Sequence, residues 1–222
     1  MDAEEPGPAG ADTPALVLLT GPLAPAAAVH ELATALRRHG PVLVPQLQPH
    51  PARPADLSVP ALGVLAAVAA SGAARALVCG VGFGALVALQ VAAGQPRPVA
   101  GLVLSTQARP LGGAVRSVHG GVAGLLPAST LQRLGRGTAL AVLEEVRALE
   151  LRPLTPAVQA PALVLHGAAD AANARASAQL AEALSQGTAQ GVAGATSGWI
   201  WREPVRWADA AAPFLRAHGL PR

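Results

Sequence analysis

The hydrophobic positions of this chain form six short continuous runs, separated by longer segments with helical spacing. Continuous apolar runs are typical of parallel strands, because helices cover such strands on both faces. The six runs are residues 15–20, 42–44, 76–79, 100–105, 161–166 and 188–192. Between them, apolar residues recur every three to four positions, as at Val29, Leu32 and Leu36. The pattern predicts an α/β fold, a three-layer α/β/α sandwich around a mostly parallel, twisted sheet of about six strands.

Polar and proline residues at the ends of the helical segments predict where the helices begin and end. Asp56 or Ser58 is placed to cap the second helix, and Asn173 to cap the helix that ends at Ser185. Pro213 lies inside the last helical segment, where a proline removes an N–H donor. It is therefore predicted to kink that helix or to end it early.

Two stretches depart from the alternation of strands and helices. Residues 1–13 are rich in Pro, Gly, Ala and acidic side chains, which predicts a disordered N-terminal tail. Residues 107–156 contain many glycines and no strand pattern, with one helical stretch at 139–150. They are interpreted as a short helical insert over one edge of the sheet. Residues 14–222 as a whole are predicted to form a single domain, since their length suits one core.

Composition excludes several classes of partner. Apolar residues make up 51% of the chain and charged residues 13%, so the bulk of it is predicted to fold. The net charge of +3 comes from scattered arginines without lysine, and Arg37-Arg38 is the only adjacent pair. A nucleic-acid partner is therefore not expected, because such proteins cluster their basic residues. The single cysteine, Cys79, allows no intrachain disulfide.

Residues 76–94 carry no charge and have about the length of a membrane-spanning helix. Glycines at 80, 82 and 84 nevertheless favour a strand, a tight turn and a helix, since glycine is unfavourable within a helix. The acidic N-terminus lacks the basic region of a signal peptide. The sequence thus predicts a soluble, cytoplasmic protein with no membrane partner.

The glycine cluster Gly80-Val81-Gly82-Phe83-Gly84 lies between the third apolar run and the following helix, where α/β-hydrolases carry the motif G-x-S-x-G. The order of elements from about residue 15 onward resembles the α/β-hydrolase superfamily, above all its small esterases and thioesterases. Residues 160–170, Ala-Pro-Ala-Leu-Val-Leu-His-Gly-Ala-Ala-Asp, resemble the strand that leads to the catalytic acid. The resemblance implies that the strands lie in the spatial order second, first, third, fourth, fifth, sixth.

The same resemblance implies a degenerate catalytic triad. Asp170 occupies the position of the acid, whereas Gly82 occupies that of the nucleophile. The position of the histidine falls on Ser197, or on Gly198 if the loop is shifted by one residue. The family order is nucleophile, acid, histidine. Because the sequence contains no histidine between positions 166 and 218, the base is absent by order as well as by position.

The resemblance also implies a ligand crevice at the carboxyl ends of the strands, with the main-chain N–H groups of Phe83 and Leu23 in the position of the oxyanion donors. The candidate ligand-binding residues are Gly21, Leu23, Gly82, Phe83, Ser105 and Asp170. No cofactor and no metal site is expected. The ligand is a small molecule or a protein partner of unknown identity.

Structural roles compete with these functional interpretations. Asp170 is also placed to cap the loop before the next helix, and Ser105 and Thr106 to form hydrogen bonds within a loop. His166 and Cys79 have the positions of core side chains. The three tryptophans near the C-terminus either pack the last helix on the sheet or line the mouth of a pocket. They are Trp199, Trp201 and Trp207.

Three functions remain open at this point. The first is a catalytically inactive hydrolase relative, a pseudoenzyme, that binds a ligand in the remnant of the crevice. The second is an active esterase or thioesterase with a non-standard set of catalytic residues. The third is an NADP-binding oxidoreductase, because Gly80-x-Gly82-x-x-Ala85 fits a dinucleotide fingerprint and Arg109 follows the next strand. Against the third, the fingerprint falls on the third strand–helix unit.

Overall fold

The computed structural model describes residues 13–47, 56–105 and 153–221. All but the last residue of the predicted tail 1–13, and most of the predicted insert with its helix at 139–150, lie outside the described residues. Thr106 and Arg109 also lie outside them.

A six-stranded sheet forms the centre of the molecule. Its strands are β1 Ala15–Leu19, β2 Val42–Leu43, β3 Ala76–Val81, β4 Val99–Ser105, β5 Ala162–Gly167 and β6 Gly187–Val192. Their spatial order is β2-β1-β3-β4-β5-β6, and every neighbouring pair is parallel. The predicted fold class and strand order are confirmed. The third strand is two residues longer than predicted, because Gly80 and Val81 still pair with Leu104 and Ser105 of β4.

Helices cover both faces of this sheet. They are α1 Ala26–Leu36, α2 Ser58–Ala70, α3 Phe83–Gly94, α4 Ala171–Ala183, α5 Trp199–Arg202 and α6 Pro204–Ala217, with 3-10 turns at Arg37–His39 and Thr155–Ala157. One core layer contains side chains of α1, α5 and α6, and the other contains side chains of α2, α3 and α4. The chain therefore forms the three layers that the alternating pattern predicts.

Burial of both sheet faces explains why the strands are apolar at every position. In β1, Leu16 and Leu18 belong to the layer of α1 and α6, whereas Val17 and Leu19 belong to the opposite layer. Trp207 is fully buried in the layer of α6. Trp199 is also buried there, and Trp201 is half-buried against the same layer. The tryptophans thus pack the C-terminal helices on the sheet, as the structural interpretation predicted.

The predicted boundaries of α4 are wrong at both ends. The helix begins at Ala171, because the carboxylate of Asp170 caps it by accepting a hydrogen bond from the N–H of Asn173 at 3.1 Å. It ends at Ala183, before Ser185. At α2 the N-cap residue is Leu57, so neither Asp56 nor Ser58 is the cap that the sequence predicts. The carboxylate of Asp56, one residue before Leu57, accepts a hydrogen bond from the N–H of Ser58 at 3.0 Å.

Pro213 does not end α6. The helix continues for four residues to Ala217, so the predicted early end is wrong. A proline removes one main-chain hydrogen bond of the helix. Burial of Trp207, Ala211 and Leu215 against the sheet holds the helix on both sides of this position. None of the helices that the structure describes is long and apolar enough to cross a bilayer.

Candidate functional site

The turn between β3 and α3 has Gly82 at its apex. Gly82 has φ 58° and ψ −121°, a conformation that residues with a side chain rarely adopt. Its N–H donates to the carbonyl of Ser105 at 2.8 Å, and its carbonyl accepts from the N–H of Ala85 at 3.0 Å. The tight turn that the glycine cluster predicts is present, and Gly82 at its apex has a positive φ. The turn is fixed by β4 on one side and by α3 on the other.

The three glycines of the cluster meet different requirements. A Cβ on Gly80 would lie 2.7 Å from the Cα of Ala85, and a Cβ on Gly84 would lie 2.0 Å from the carbonyl oxygen of Leu19. Both glycines are therefore needed for the close approach of α3 to the sheet. A Cβ on Gly82 would meet no heavy atom of the described residues within 4 Å. Position 82 thus faces open space, and its glycine serves the backbone conformation alone.

Gly82 lies at the point where the strand order of the sheet reverses. From β1 the chain passes through α1 to β2 on one side, whereas β3 and α3 lead to β4 on the other side. Ligand crevices of open α/β sheets occur beside the carboxyl ends of the strands at such a point. Gly21 follows β1 there, and a Cβ on it would lie 2.6 Å from the Cβ of Phe83. The structure therefore brings together Gly21, Gly82 and Phe83.

The same loop contains the second expected oxyanion donor. Leu23 lies in a turn that is closed by a hydrogen bond from the N–H of Ala24 to the carbonyl of Gly21 at 3.0 Å. Phe83 is the first residue of α3, so its N–H has no carbonyl partner within the helix. The N-terminus of a helix carries a partial positive charge. This end of α3 is thus suited to a ligand oxygen with negative charge.

The side chain of Ser105 lies in the core beneath this turn. Its hydroxyl donates to the carbonyl of Leu165 at 2.8 Å and accepts from the indole Nε1 of Trp207 at 2.8 Å. The residue is buried at the end of β4. Ser105 therefore supports the site through its main-chain carbonyl, which binds Gly82, whereas its hydroxyl joins β5 to α6.

Asp170 has the capping role that the sequence allows. It lies three residues after β5, where the resemblance implies the acid, and it is the N-cap of α4. Its side chain is half-buried. The carboxylate is therefore engaged by the first turn of α4, and capping requires no histidine beside it.

The loop after β6 is packed against the loop that carries Asp170. The N–H of Ala169 donates to the carbonyl of Ala195 at 2.9 Å. A Cβ on Gly167 would lie 2.4 Å from that same carbonyl oxygen. The structure thus places the loop that contains Ser197 beside the loop that contains Asp170.

Ser197 is exposed in this second loop and is followed by Gly198 with φ 68°. The guanidinium of Arg202 holds the loop from α5: its Nη2 donates to the carbonyl of Ser197 at 2.8 Å and to Oγ1 of Thr196 at 2.7 Å. Arg202 was not predicted as a residue of the site. The only indication in the sequence is that a basic residue follows the expected histidine position within the same segment.

The core position predicted for Cys79 is confirmed, whereas His166, also predicted as a core side chain, is only half-buried. Cys79 is fully buried, and burial raises the pKa of its thiol far above the usual range, so no thiolate forms. His166 is half-buried at the end of β5, and its Nε2 lies 3.1 Å from where a Cβ on Gly191 would be. Burial lowers the pKa of His166, and the main chain of Val164 and the Asp170 carboxylate oppose that shift.

Comparison with known proteins identifies the architecture. No protein-family model and no curated protein sequence matches the chain. A membrane phospholipase A, a bacterial virulence factor, has a TM-score of 0.69 at 19% identity, over 92% of this chain and 79% of that one. The esterase RhEst1 from Rhodococcus sp. ECU1013 has a TM-score of 0.67 at 23% identity, over 95% and 93%.

A third structure, MGS-MChE2, is an alpha/beta hydrolase enzyme from the metagenome of sediments from the lagoon of Mar Chica, Morocco. It has a TM-score of 0.67 at 14% identity, over 92% of this chain and 91% of that one. The chain therefore has the α/β-hydrolase fold. Identities of this size establish the fold and not the activity.

Proposed function

We propose that this chain is a hydrolase-fold protein without serine-hydrolase chemistry, which binds a small molecule in the crevice beside Gly82. The observation that carries the proposal is the residue at the apex of the turn. Acyl transfer needs a side-chain oxygen or sulfur at this point to attack the carbonyl carbon. Gly82 supplies neither, and the nearest thiol on the same strand, Cys79, is fully buried.

The missing base supports the same conclusion. A hydroxyl nucleophile needs an imidazole that takes its proton and returns it to the leaving group. Ser197, at the expected position, has no basic group, and the Arg202 side chain beside it acts as a hydrogen-bond donor to the Ser197 carbonyl. Asp170 alone cannot replace the nucleophile and the base, because in a triad the acid only orients and stabilises the imidazole.

The expected ligand is an ester or the carboxylate product of an ester. Two of the structural neighbours are an esterase and a phospholipase A, both of which act on esters by name. Position 82 faces open space, and the first N–H groups of α3 favour a carbonyl or carboxylate oxygen. The binding role extends equally to a protein partner that inserts such a group. The dinucleotide hypothesis gains no support, because the fingerprint follows β3 in the centre of a hydrolase-like strand order.

The test combines reactivity with binding. Incubation with a fluorophosphonate probe should leave the purified protein unlabelled, and p-nitrophenyl esters should not show an acyl-enzyme burst. Native mass spectrometry should detect a bound small molecule, or saturable binding of short-chain carboxylates added to the protein. Labelling of a mapped serine or threonine at one probe per chain would overturn the proposal and support an active enzyme with a non-standard set of residues.

A matched pair of variants locates the binding. Gly82→Asn fills the space above the turn, at the cost of backbone strain of order 1–3 kcal/mol at φ 58° and ψ −121°. Gly72→Asn is the control, since Gly72 has φ 75° and equally open surroundings but lies at the end of α2. Ligand binding should be lost in the first variant and kept in the second. Equal binding by both variants would place the ligand elsewhere.

A further inference from the structure

A groove runs along the C-terminal end of α6. Its volume is about 770 Å³. Four apolar residues and a single arginine form its walls, and they are Pro213, Arg216, Ala217, Leu220 and Pro221. The groove therefore offers an apolar surface with one positive charge in it.

The described part of the chain begins beside this groove. A Cβ on Gly219, which lies between two of the lining residues, would be 3.1 Å from Cδ of Pro14. Pro14 directly precedes β1, so the groove lies at the edge of the sheet where β1 starts. The crevice beside Gly82 lies at the opposite edge, where the strands end. Residues 1–12 are thus joined to the domain at one end of the groove.

The composition of residues 2–12, which we call the acidic segment, complements the groove. The segment contains four of the 13 acidic residues of the chain and no basic residue. Its other residues are alanine, glycine and proline, among them Pro6 and Pro8. Proline favours the extended polyproline II backbone, which docks in grooves at a low entropic cost because it is preformed. The segment therefore offers negative charges together with small apolar residues.

The acidic segment is long enough to line the whole groove. From Glu5 to Pro14 an extended chain reaches about 30 Å. The part of the C-terminal end from Pro213 to Gly219 is mostly helical and spans only about 9 Å. Glu4 and Glu5 are therefore within reach of every lining residue.

Arg216, the cation of the groove, lacks an acidic partner. It is exposed, and no ion pair within the described residues involves it. Asp209, two turns earlier on α6, is paired with Arg38 at 2.7 Å. Burial, followed by the charges of Arg216 and Arg38, lowers the pKa of His39 although Asp209 opposes the shift. Positive charge thus prevails at this end of α6, and it attracts an anionic segment.

We propose that the acidic segment of this chain lies in the groove, with Glu4 and Glu5 beside Arg216 and the prolines against the apolar walls. The point of attachment, the reach and the opposite charge select this occupant. Because the segment is tethered beside the groove, its effective concentration is high and a weak contact is sufficient. The contact ties the beginning of the chain to its last helix. The proposal is independent of the proposed function, since groove and crevice lie at opposite edges of the sheet.

Fluorescence anisotropy of the full chain tests the contact. A dye is attached at Ala9→Cys, and burial protects Cys79 from labelling. The anisotropy should be high at low salt and fall in about 1 M salt, where the Debye length is about 3 Å. Arg216→Glu should lower the anisotropy at low salt to the value found at high salt. An anisotropy that depends neither on salt nor on Arg216→Glu would overturn the contact.

The matched control is Arg175→Glu. Arg175 is also exposed and free of ion pairs within the described residues, but it lies on α4. This change should leave the anisotropy as in the wild type, and an equal fall in both variants would overturn the assignment to the groove. Circular dichroism and melting temperature verify that both variants fold.

Charge reversal tests the pairing itself. Glu4→Arg with Glu5→Arg should lower the anisotropy, and the further change Arg216→Glu should restore it. A triple variant without this recovery would overturn the pairing of these acids with Arg216. The anisotropy should also be independent of protein concentration. A rise on addition of unlabelled chain would overturn the intrachain contact and assign the groove to the acidic segment of a second copy.

Discussion

The hydroxyl of Ser105 lies between the carbonyl of Leu165 and the indole Nε1 of Trp207, at 2.8 Å from each. It accepts from Trp207 and donates to Leu165. This single buried hydroxyl therefore connects the end of β4 with β5 and with the C-terminal helix α6. The main-chain carbonyl of the same residue, Ser105, accepts the hydrogen bond from Gly82. The position of the glycine turn thus depends on a contact between residues that are 102 positions apart.

Ser105→Ala should destabilise the protein because it leaves the buried indole N–H of Trp207 without its partner. An unsatisfied buried donor costs about 1–3 kcal/mol. Urea unfolding followed by tryptophan fluorescence measures this loss. Ser177→Ala is the control, since Ser177 is also buried but its hydroxyl has no hydrogen-bond partner within the described residues. That change should be neutral or stabilising, and equal losses in both variants would contradict the role of Ser105.

Substitutions in the glycine cluster should differ sharply in effect. Gly84→Ala places a Cβ 2.0 Å from the Leu19 carbonyl oxygen, so α3 cannot keep its place and soluble folded protein should be lost. Gly82→Ala meets no atom and carries backbone strain alone, of order 1–3 kcal/mol. Yield of folded protein and urea unfolding distinguish the two. Similar behaviour of both variants would argue against the close contact of α3 with β1.

We expect a gain in esterase activity only when a nucleophile and a base are introduced together at positions 82 and 197. Gly82→Ser adds a hydroxyl without a base, and Ser197→His adds a base without a hydroxyl. Neither single variant should therefore gain much esterase activity. The double variant should exceed the combined gain of the single variants, because nucleophile and base act as a unit. Turnover of p-nitrophenyl acetate and fluorophosphonate labelling at position 82 provide the measurement. Purely additive gains would show that the 197 loop does not reach the turn.

Acidification should weaken the fold through two histidines. Burial, together with Arg216 and Arg38, lowers the pKa of His39 against the opposing charge of Asp209. The pKa of His166 is also lowered, mainly by burial. The folded state therefore binds fewer protons than the unfolded state. The resulting stability is present above the unfolded pKa of about 6.5 and is lost as pH falls through the lower folded pKa values.

Urea unfolding at a series of pH values between about 8 and 5, a range that includes the unfolded pKa of histidine, measures how the free energy of unfolding depends on pH. The variant His39→Gln with His166→Gln should reduce the dependence on pH in this range. An unchanged slope in the double variant would assign the pH dependence to other groups.

The sequence predicted the sheet well because its cause is local. Strands with helices on both faces are apolar throughout, so their positions are visible as continuous apolar runs. The tight turn at position 82 could be predicted because glycine is the residue that most readily adopts a positive φ. The beginning of α4 was missed because Asp170 and Asn173 are both good caps, and only the geometry of the loop decides between them. The partners of Ser105 and Arg202 were missed for a different reason. They depend on side-chain contacts between elements, which periodicity does not encode.

The open surroundings of Gly82 separate the packing of the fold from the side chain at this turn. Gly80 and Gly84 are required by the approach of α3 to the sheet, so sterics exclude a side chain at either position. Position 82 has no such contact within the described residues, and a side chain there would cost backbone strain alone. A reactive side chain at position 82 therefore lowers the stability of the fold while it leaves the packing of the scaffold unchanged.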